Sequence, residues 1–402
     1  MKGRSDNFIL ITSSNFPEGG PGANYLNLFC RGLKANGAGV KVYLLKGHAF
    51  GDTVYNGPRK GSSPHGIHYT YLGFRQRPKN IFLKLADQFI SFFRLQTLLL
   101  SLTFRSRKDT ILLYNSDLFF NVPVHLAAKA AGIRIVKFAA EIIDKSQYRN
   151  SIIGRISRVA YMGNFRYLNK MSDKLIVFSE YLRNEFLQMG FDERKIIVQP
   201  NLTDFGFWQP AKTEIKYTIG YSGAPYMKDG LSDLLKAVSQ LAANNLNITL
   251  LIVGDATFGR TLIPGLKAEC MNLGITDRVT FTGLVVSAEV REYLSQCEIL
   301  VITRPDTIQT RAGFPTKLGE YFALKKPVLA TRFGDMERYF TDGLDVIFAE
   351  CGDADSIARR IEWMISNKNE LINISARGHD TARQLLEYKA GMERILNFLV
   401  LE

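Results

Sequence analysis

Buried strands and amphipathic helices alternate along the first part of the chain. Residues 8–12 form a continuous apolar run, as expected of a strand buried on both faces of a parallel sheet. A loop rich in glycine and proline follows, and apolar residues then recur at helical spacing up to Gly37. The alternation of Val40, Val42 and Leu44 predicts a second strand. This order of strand, glycine-rich loop, helix and strand is the opening of a doubly wound α/β fold.

The same pattern continues and then restarts after a break. Further strands are predicted over residues 110–114, 133–138 and 174–178, with helices over 122–131 and 180–189. Residues 200–210 contain two prolines and several turn residues without a clear period, which predicts a linker. Beyond it, strands are predicted over residues 217–221, 249–253, 279–282, 299–303 and 328–331, with helices between them.

Two similar α/β halves therefore make up the chain. We predict two doubly wound parallel-sheet domains facing a central cleft, the first over residues 1–203 and the second over residues 204–384. In such sheets ligands bind at the carboxyl ends of the strands, so the cleft is the expected site.

The composition is that of a globular chain of 402 residues, 46% hydrophobic and 22% charged. These values exclude a disordered or fibrous protein. No uncharged apolar stretch reaches the ~18 residues of a membrane-spanning helix, and the polar start followed by a short apolar run predicts no cleavable signal. Four widely spaced cysteines form no Cys-x-x-Cys pair, which favours a reduced, cytosolic chain.

The net charge of +13 comes from the first half. Residues 1–200 contain 29 Lys/Arg and 13 Asp/Glu, a balance of +16, whereas residues 201–402 contain 22 and 25, a balance of −3. A basic half indicates an anionic partner, such as a membrane surface or a phosphate-rich acceptor, although it also fits a merely soluble basic surface. Nucleic acid is not expected as a partner, because the sequence has no zinc finger and no RNA-recognition aromatic signature.

Four segments, in this order, resemble the retaining glycosyltransferases of family 4 (glycosyl transferases group 1), which have the GT-B architecture of two Rossmann-like domains. The segments are Phe16-Pro-Glu-Gly-Gly-Pro-Gly22, residues 172–179 with 195–201, Gly220-Tyr-Ser-Gly-Ala-Pro-Tyr-Met-Lys-Asp-Gly230, and Gly313-Phe-Pro-Thr-Lys-Leu-Gly-Glu320 with 326–330. The resemblance spans about residues 8 to 350 and depends on the joint order of the motifs. It implies retention of the anomeric configuration, and it implies that residues 385–402 cross back to the first domain.

Lys228 lies in a glycine-rich loop before a predicted helix. A lysine there neutralises the charge that builds on a leaving diphosphate, although a solvated loop lysine is the plain alternative. The resemblance implies the diphosphate role, and it also implies an arginine about six residues earlier. That position is Ser222, so the second cation is missing or is supplied by Arg304, Arg311 or Lys317.

Glu320 is the candidate ribose-binding residue, because a carboxylate at a helix start can accept both ribose hydroxyls; the alternative is a surface helix cap. The segment from Gly313 through Thr316 and Lys317 to Leu318 offers backbone donors to a β-phosphate. The resemblance implies another glutamate near the donor sugar, at the position of Ala312. Either the sugar is held differently or the chain has a non-catalytic role.

Three glycine-containing loops follow predicted strands. Gly19 and Gly20 let backbone N–H groups approach a phosphate or sugar, with a helix start behind them. The resemblance implies that Gly254-Asp255 and Gly283-Leu284-Val285 flank the nucleotide base. Each loop also fits an ordinary turn at the carboxyl end of a strand.

Glu141 follows the strand predicted over residues 133–138, where many family members carry a histidine. It is a candidate to accept a sugar hydroxyl or assist the acceptor, although a lone loop glutamate is usually solvated. The five histidines show no metal-ligand spacing. We predict no metal and no cofactor other than a nucleoside-diphosphate sugar as co-substrate.

Residues 81–104 carry large apolar side chains, and Arg105, Arg107 and Lys108 follow them. This pattern fits an amphipathic helix lying on an anionic membrane. It fits equally well a helix of the hydrophobic core that is followed by basic residues.

The sequence thus predicts a glycosyltransferase, cytoplasmic or peripheral at the inner membrane face. It would transfer sugar from a nucleoside-diphosphate sugar to a glycan or lipid-linked acceptor, in cell-surface polysaccharide or glycolipid synthesis, with retention and without a metal. Two alternatives stay open: a catalytically impaired nucleotide-sugar-binding or scaffold protein of the same fold, and a sugar-nucleotide epimerase.

Overall fold

The structure, a computed structural model, describes residues 7–49, 55–104, 109–142, 152–256 and 261–400. It divides into two compact units: the residues up to Pro200 together with those from Tyr388 onward, and residues Asn201–Glu387. Each unit has its own sheet and its own hydrophobic core. None of the helices in the described part of the chain is long and apolar enough to cross a membrane.

The secondary structure alternates as the sequence predicts. The strands are β1 (Asn7–Thr12), β2 (Gly39–Leu44), β3 (Lys60–Ser62), β4 (His68–Tyr71), β5 (Asp109–Tyr114), β6 (Arg134–Ala139), β7 (Lys174–Val177), β8 (Ile196–Val198), β9 (Tyr217–Ser222), β10 (Leu250–Val253), β11 (Val279–Phe281), β12 (Cys297–Ile302), β13 (Val328–Thr331) and β14 (Ile347–Ala349). The helices are α1 (Pro21–Ala35), α2 (Ile81–Thr103), α3 (Leu118–Ala131), α4 (Ile152–Gly163), α5 (Glu180–Gln188), α6 (Leu231–Ala243), α7 (Ile263–Asn272), α8 (Ser287–Ser295), α9 (Ile308–Ala312), α10 (Thr316–Ala323), α11 (Met336–Tyr339), α12 (Ala354–Ser366), α13 (Lys368–Leu386) and α14 (Tyr388–Val400).

The first unit is built on a sheet with the strand order β3-β4-β2-β1-β5-β6-β7-β8. Its strands pair in parallel, except that the edge strand β3 runs antiparallel to β4. Helix α14 belongs to this unit and packs on α1. Glycine at position 32 permits the close approach, since a Cβ there would lie 2.8 Å from Met392 Cβ.

The second unit has the parallel order β11-β10-β9-β12-β13-β14. Side chains of β10 alternate between two cores: Leu250 and Ile252 belong to one cluster, and Leu251 and Val253 to the other. Successive strand residues point to opposite faces, so a strand covered on both faces reads as a continuous apolar run. This is why the apolar runs in the sequence predict the strands of this sheet so well.

The segment predicted to be a linker is instead packed into the second unit. Phe205 and Trp208 are buried in one of its cores, and the Thr203 N–H donates to the Leu386 carbonyl at 2.8 Å. The boundary between the units falls at the start of the predicted linker, between Pro200 and Asn201, but the rest of the segment is packed, because Phe205 and Trp208 anchor it in the core. The segment also braces α10, since a Cβ on Gly319 would lie 2.0 Å from Thr203 Oγ1.

Candidate functional site

The strand order of the second sheet runs outward in opposite directions from β9 and β12. Because the strands are parallel, their carboxyl ends share one edge. The loops that leave neighbouring strands in opposite directions open a crevice there, which is the usual ligand position in such sheets. At this edge lie the loop of residues 223–230 after β9 and the residues from Thr303 after β12.

Gly230 closes the loop after β9 in a left-handed conformation, with φ of 64°. A Cβ at this position would lie only 1.8 Å from the Thr303 carbonyl oxygen. The Thr303 hydroxyl donates a hydrogen bond shared between the carbonyl oxygens of Asp229 and Gly230, with Oγ1 at 3.0 and 3.2 Å from them. The short 3₁₀ turn Met227–Asp229 is therefore fixed against the end of β12.

Asp229 lies in the loop after β9 and is 2% exposed. Its Oδ1 lies 3.0 Å from Lys317 Nζ and 3.4 Å from Arg304 Nε. Lys317 Nζ also lies 4.0 Å from the centre of the Tyr221 ring, in the geometry of a cation–π contact. One buried carboxylate thus holds two cationic side chains, from the end of β12 and from the start of α10.

Charge balance at this cluster favours an added anion. Burial opposes ionisation of Asp229, but the charges of Lys317 and Arg304 outweigh it and keep the pKa of Asp229 below its usual value. Burial lowers the pKa of Lys317 to about 8, despite the opposing attraction of Asp229. The half-buried Lys228, next along the 3₁₀ turn, adds a third positive charge near this pair. Glu320, which also lies near Lys317, is a second carboxylate, but three cations still outnumber two carboxylates and leave a surplus of positive charge at the crevice.

Helix α10 adds backbone donors and a carboxylate to the same edge. It begins at Thr316 after Pro315, and no side chain caps its first turn. Unpaired N–H groups at a helix start attract anions. The sequence predicts Glu320 at the start of the helix. In the structure it lies one turn further along, because the four residues from Thr316 complete the first turn. Leu318 is fully buried, and its N–H donates to the Pro315 carbonyl at 3.3 Å.

The cost of burying the Glu320 carboxylate is only partly offset by its surroundings. Burial raises its pKa to about 7, and the nearby Lys317 charge offsets only part of this effect. Within the described ranges, its carboxylate accepts no hydrogen bond. A ligand that donates two hydroxyls would supply what the protein does not.

The loops after β10 and β11 adjoin the loop after β9. Gly254 has φ of 107°, and a Cβ there would lie 3.0 Å from the Gly223 carbonyl oxygen. Its N–H donates to Thr282 Oγ1 at 3.1 Å, which links it to the turn at Gly283. Of the neighbouring predicted residues, Asp255 and Val285 are half-buried and Leu284 is exposed.

The three candidates for the second diphosphate-binding cation differ in their partners. Arg304 and Lys317 converge on Asp229, whereas Arg311 makes a bidentate pair with Asp306 at 2.6 and 2.9 Å. Ser222 is buried at the end of β9, where its N–H donates to Tyr321 Oη at 2.7 Å. Ala312 is fully buried at the end of α9 and brings no carboxylate to the site.

The remaining predicted residues belong to the first unit. Gly19, with φ of 150°, and Gly20 lie in the loop between β1 and α1, and Gly20 is the N-cap of that helix. Glu141 is exposed just after β6. The predicted residues therefore fall into two sets, each at the carboxyl edge of its own sheet. In the described part of the chain, no three His, Cys, Asp or Glu side chains come together as a metal site.

Asp229 is the residue that sequence reasoning missed. In the sequence it is part of an Asp-Gly pair after Lys228, and such a pair predicts only a turn. Nothing in the local sequence shows that its carboxylate is buried, because both partners lie more than 70 residues further along the chain.

Residues 216–367, which contain this cluster, match the family model described as glycosyl transferases group 1. This match lies within the second unit and spans less than half of the chain. An uncharacterized glycosyltransferase of Methanocaldococcus jannaschii is 23% identical over 238 residues, covering 59% of this chain and 60% of that relative. The lipopolysaccharide core biosynthesis glycosyltransferase LpsE of Rhizobium meliloti is 24% identical over 154 residues, covering 38% of this chain and 41% of that relative. Both matches span less than two thirds of the relative.

The fold has counterparts among solved structures. Anabaena HepE in complex with UDP-glucose superposes with a TM-score of 0.70 at 16% identity, covering 98% of this chain and 99% of that chain. This likeness confirms the predicted GT-B class with two doubly wound α/β domains. Assignment to family 4 in particular stays a prediction.

The clash at Gly230 gives a direct test of the cluster's framework. We expect Gly230→Ala to lower the free energy of unfolding by about 2–5 kcal/mol, the sum of left-handed strain and steric overlap. Gly274→Ala is the matched control, because Gly274 has φ of 68° and a Cβ added there would meet nothing within 4 Å. The control should cost only about 1 kcal/mol of strain. Urea unfolding of both variants makes the comparison, and equal losses would show that the contact with Thr303 does not constrain the loop.

Proposed function

We propose that the protein is a glycosyltransferase that moves a sugar from a nucleoside-diphosphate sugar to a glycan or lipid-linked acceptor, in the synthesis of cell-surface polysaccharide or glycolipid. The observation that carries the proposal is the cationic cluster around Asp229 at the crevice of a glycosyl transferases group 1 domain. HepE, which shares the fold, holds UDP-glucose, and LpsE is named for lipopolysaccharide core biosynthesis. Both facts support this choice of substrates.

The proposed reaction breaks the bond between the anomeric carbon and the diphosphate oxygen. An acceptor hydroxyl forms the new bond to that carbon, the nucleoside diphosphate leaves with the bonding electrons, and the diphosphate oxygen takes up the hydroxyl proton. Negative charge therefore builds on the diphosphate in the transition state. Preorganised cations and helix N–H groups stabilise such charge most strongly where water is excluded. Lys228, Lys317 and the first turn of α10 fill this role.

Retention of configuration and independence of a metal are parts of the same proposal. The cluster supplies positive charge from side chains, which is the task a divalent ion performs at other diphosphate sites. Glu320 holds the ribose hydroxyls, and the loops at Gly254 and Gly283 flank the base. Gly19, Gly20 and Glu141 of the first unit are proposed to act on the acceptor side.

A panel of labelled sugar nucleotides tests the activity. We expect slow hydrolysis of one donor by the protein alone, and faster release of nucleoside diphosphate when a suitable acceptor is present. Binding of a nucleotide without turnover, even with cell extract as acceptor, would instead support the impaired binding or scaffold protein. Interconversion of the free sugar nucleotide with its epimer would support the epimerase.

The ribose assignment predicts a loss of nucleotide affinity on substitution. We expect Glu320→Ala to weaken UDP binding by about 1–3 kcal/mol, since hydrogen bonds to a charged group are lost. Glu362→Ala, which removes an exposed carboxylate from α12, should leave the affinity unchanged. Isothermal calorimetry measures both, and unchanged affinity in the Glu320 variant would remove this residue from the site.

The pH dependence follows from the raised pKa of Glu320. Because that pKa is about 7 in the free protein, the carboxylate is ionised above pH 7 and protonated below it. The advantage of wild type over Glu320→Gln in UDP binding should therefore be full at pH 8 and should shrink by pH 6. The comparison between variants cancels the titration of UDP itself. An advantage that is constant between these pH values would contradict the proposed role.

We also propose that the first unit docks on an anionic membrane surface through α2. One face of this helix is buried through Asp87, Ser91, Leu95, Leu99 and Leu102. The other face exposes Phe82, Phe89 and Phe93, at 76%, 58% and 66%. The apolar surface continues onto α3, where the exposed Phe119 lies 5.0 Å from the ring of Phe92.

Charge selects an anionic lipid surface as the occupant of this apolar face. Four cationic side chains are exposed just before and at the start of α2, namely Arg75, Arg77, Lys79 and Lys84. The one acidic residue of α2, Asp87, is buried on the opposite face. Cations beside exposed aromatic residues are the usual pattern of helices that lie in a membrane interface. Arg105, Arg107 and Lys108, which the sequence also indicated, lie outside the described residues.

Vesicle sedimentation tests the membrane proposal. The protein should bind vesicles containing anionic lipid at low salt, bind neutral vesicles far less, and dissociate as salt screens the charges. Phe89→Ser with Phe93→Ser should weaken binding without changing donor hydrolysis. Met271→Ser with Ile372→Ser is the control, because these apolar side chains are at least as exposed, at 71% and 66%, and lie in the second unit. Absence of binding to anionic vesicles at low salt would refute the membrane proposal.

A further inference from the structure

A second cavity lies within the first unit, at the carboxyl ends of β5 and β6. Its volume is about 540 Å³, which is within the range of small-molecule sites. The wall combines aromatic rings with hydrogen-bonding side chains, including Tyr114, Phe138, Tyr161, Asn115, Ser116 and Asn164. Rings that pack on C–H surfaces beside amides and hydroxyls suit a polar, ring-shaped ligand.

Lys137 projects into this cavity from the middle of β6 and is only 4% exposed. A charged side chain inside a buried strand is costly unless it is paired. Its Nζ donates to Asn164 Oδ1 at 2.9 Å. No carboxylate of the residues that the structure describes forms an ion pair with it.

Asn164 is fixed so that its oxygen faces the lysine. The Asn164 Nδ2 donates to the Ser116 carbonyl at 3.0 Å, and the Asn121 Nδ2 donates to Asn164 Oδ1 at 2.8 Å. Asn164 is the first residue of the π-helical turn Asn164–Leu168. An amide oxygen partly satisfies the ammonium but does not neutralise its charge.

The charged groups around Lys137 do not neutralise it either. Asp117 lines the cavity but forms an ion pair with Lys46, and Glu141 lies exposed at the rim after β6. Behind Asn121, burial lowers the pKa of His125, which also lies within electrostatic range of Lys137 and Asp173. Burial lowers the pKa of Lys137 itself to about 7, as expected of a buried lysine that has no anion beside it among the described residues.

We propose that this cavity binds a sugar-sized molecule carrying one anionic group, a phosphate or a carboxylate, and that the Lys137 ammonium pairs with that group. The ligand's anion replaces the missing counter-charge, and the aromatic and amide wall contacts its ring. The proposal does not depend on the donor chemistry of the second unit, because every residue that it uses lies in the first unit.

Calorimetry on the full chain tests the proposal with three probes: glucose, glucuronate and glucose 6-phosphate. At least one charged sugar should bind at least tenfold more tightly than glucose, and which one does so identifies the anion. Lys137→Met should abolish this preference. Lys129→Met, which removes an exposed lysine from α3, should retain it. Equal binding of charged and neutral sugars, no binding of any probe, or an unchanged preference in Lys137→Met would overturn the proposal.

A titration of the wild-type protein gives a second readout that needs no variant. Lysine with a lowered pKa is protonated, and therefore able to pair with an anion, below about pH 7. Glucuronate keeps its charge over this range, so its affinity should fall about tenfold from pH 6 to pH 8. The Lys137 side-chain signal in lysine-labelled NMR spectra should titrate near pH 7 and shift to higher pH on adding glucuronate. A signal that does not respond to the ligand would overturn the proposal even if Lys137→Met fails to fold.

Discussion

The buried Asp229 carboxylate is the constraint on which the second unit's site depends. Removing a carboxylate from water without partners is very unfavourable, so Asp229 requires both Lys317 and Arg304. These three side chains come from the loop after β9, the start of α10 and the end of β12. Satisfying one buried charge therefore fixes the position of three elements at the point where the strand order reverses.

The same interaction sets the electrostatics of the crevice. Two carboxylates, Asp229 and Glu320, do not balance the three nearby cations, and the uncapped first turn of α10 adds its own partial positive charge. Fixing α10 also fixes Glu320, which lies one turn beyond Lys317. A diphosphate near the start of the helix and a ribose near Glu320 would then lie a few ångströms apart, as they do within one nucleotide.

The first unit contains the opposite arrangement, a buried positive charge that no carboxylate within the described ranges neutralises. Lys137 is a buried cation without a carboxylate, held by the oxygen of Asn164. Where the second unit surrounds one anion with cations, the first leaves one cation open to a cavity. Both arrangements favour an anionic ligand, although at different sheets and with different wall chemistry.

The sequence predicted the fold well because its signals are local. Alternating burial of Leu250, Leu251, Ile252 and Val253 makes β10 a continuous apolar run, which any reader of the sequence can recognise. The short edge strand β3 has no apolar run, since it consists of Lys60, Gly61 and Ser62, and it was not predicted. The sequence singled out candidate site residues only where glycines or motif resemblance marked them, as at Lys228, Lys317 and Glu320. Asp229 and Lys137 were not found, because their roles depend on burial and on partners that are distant in the sequence.

The central claim is that the cluster at Asp229 and the start of α10 bind the diphosphate of a nucleotide, with Glu320 on its ribose. A crystal structure with bound UDP tests this most directly. We predict diphosphate oxygens within hydrogen-bonding distance of the first-turn N–H groups of α10 and of Lys228 or Lys317, and both ribose hydroxyls on the Glu320 carboxylate. Density for UDP away from this edge of the sheet, or a ribose that does not contact Glu320, would contradict it.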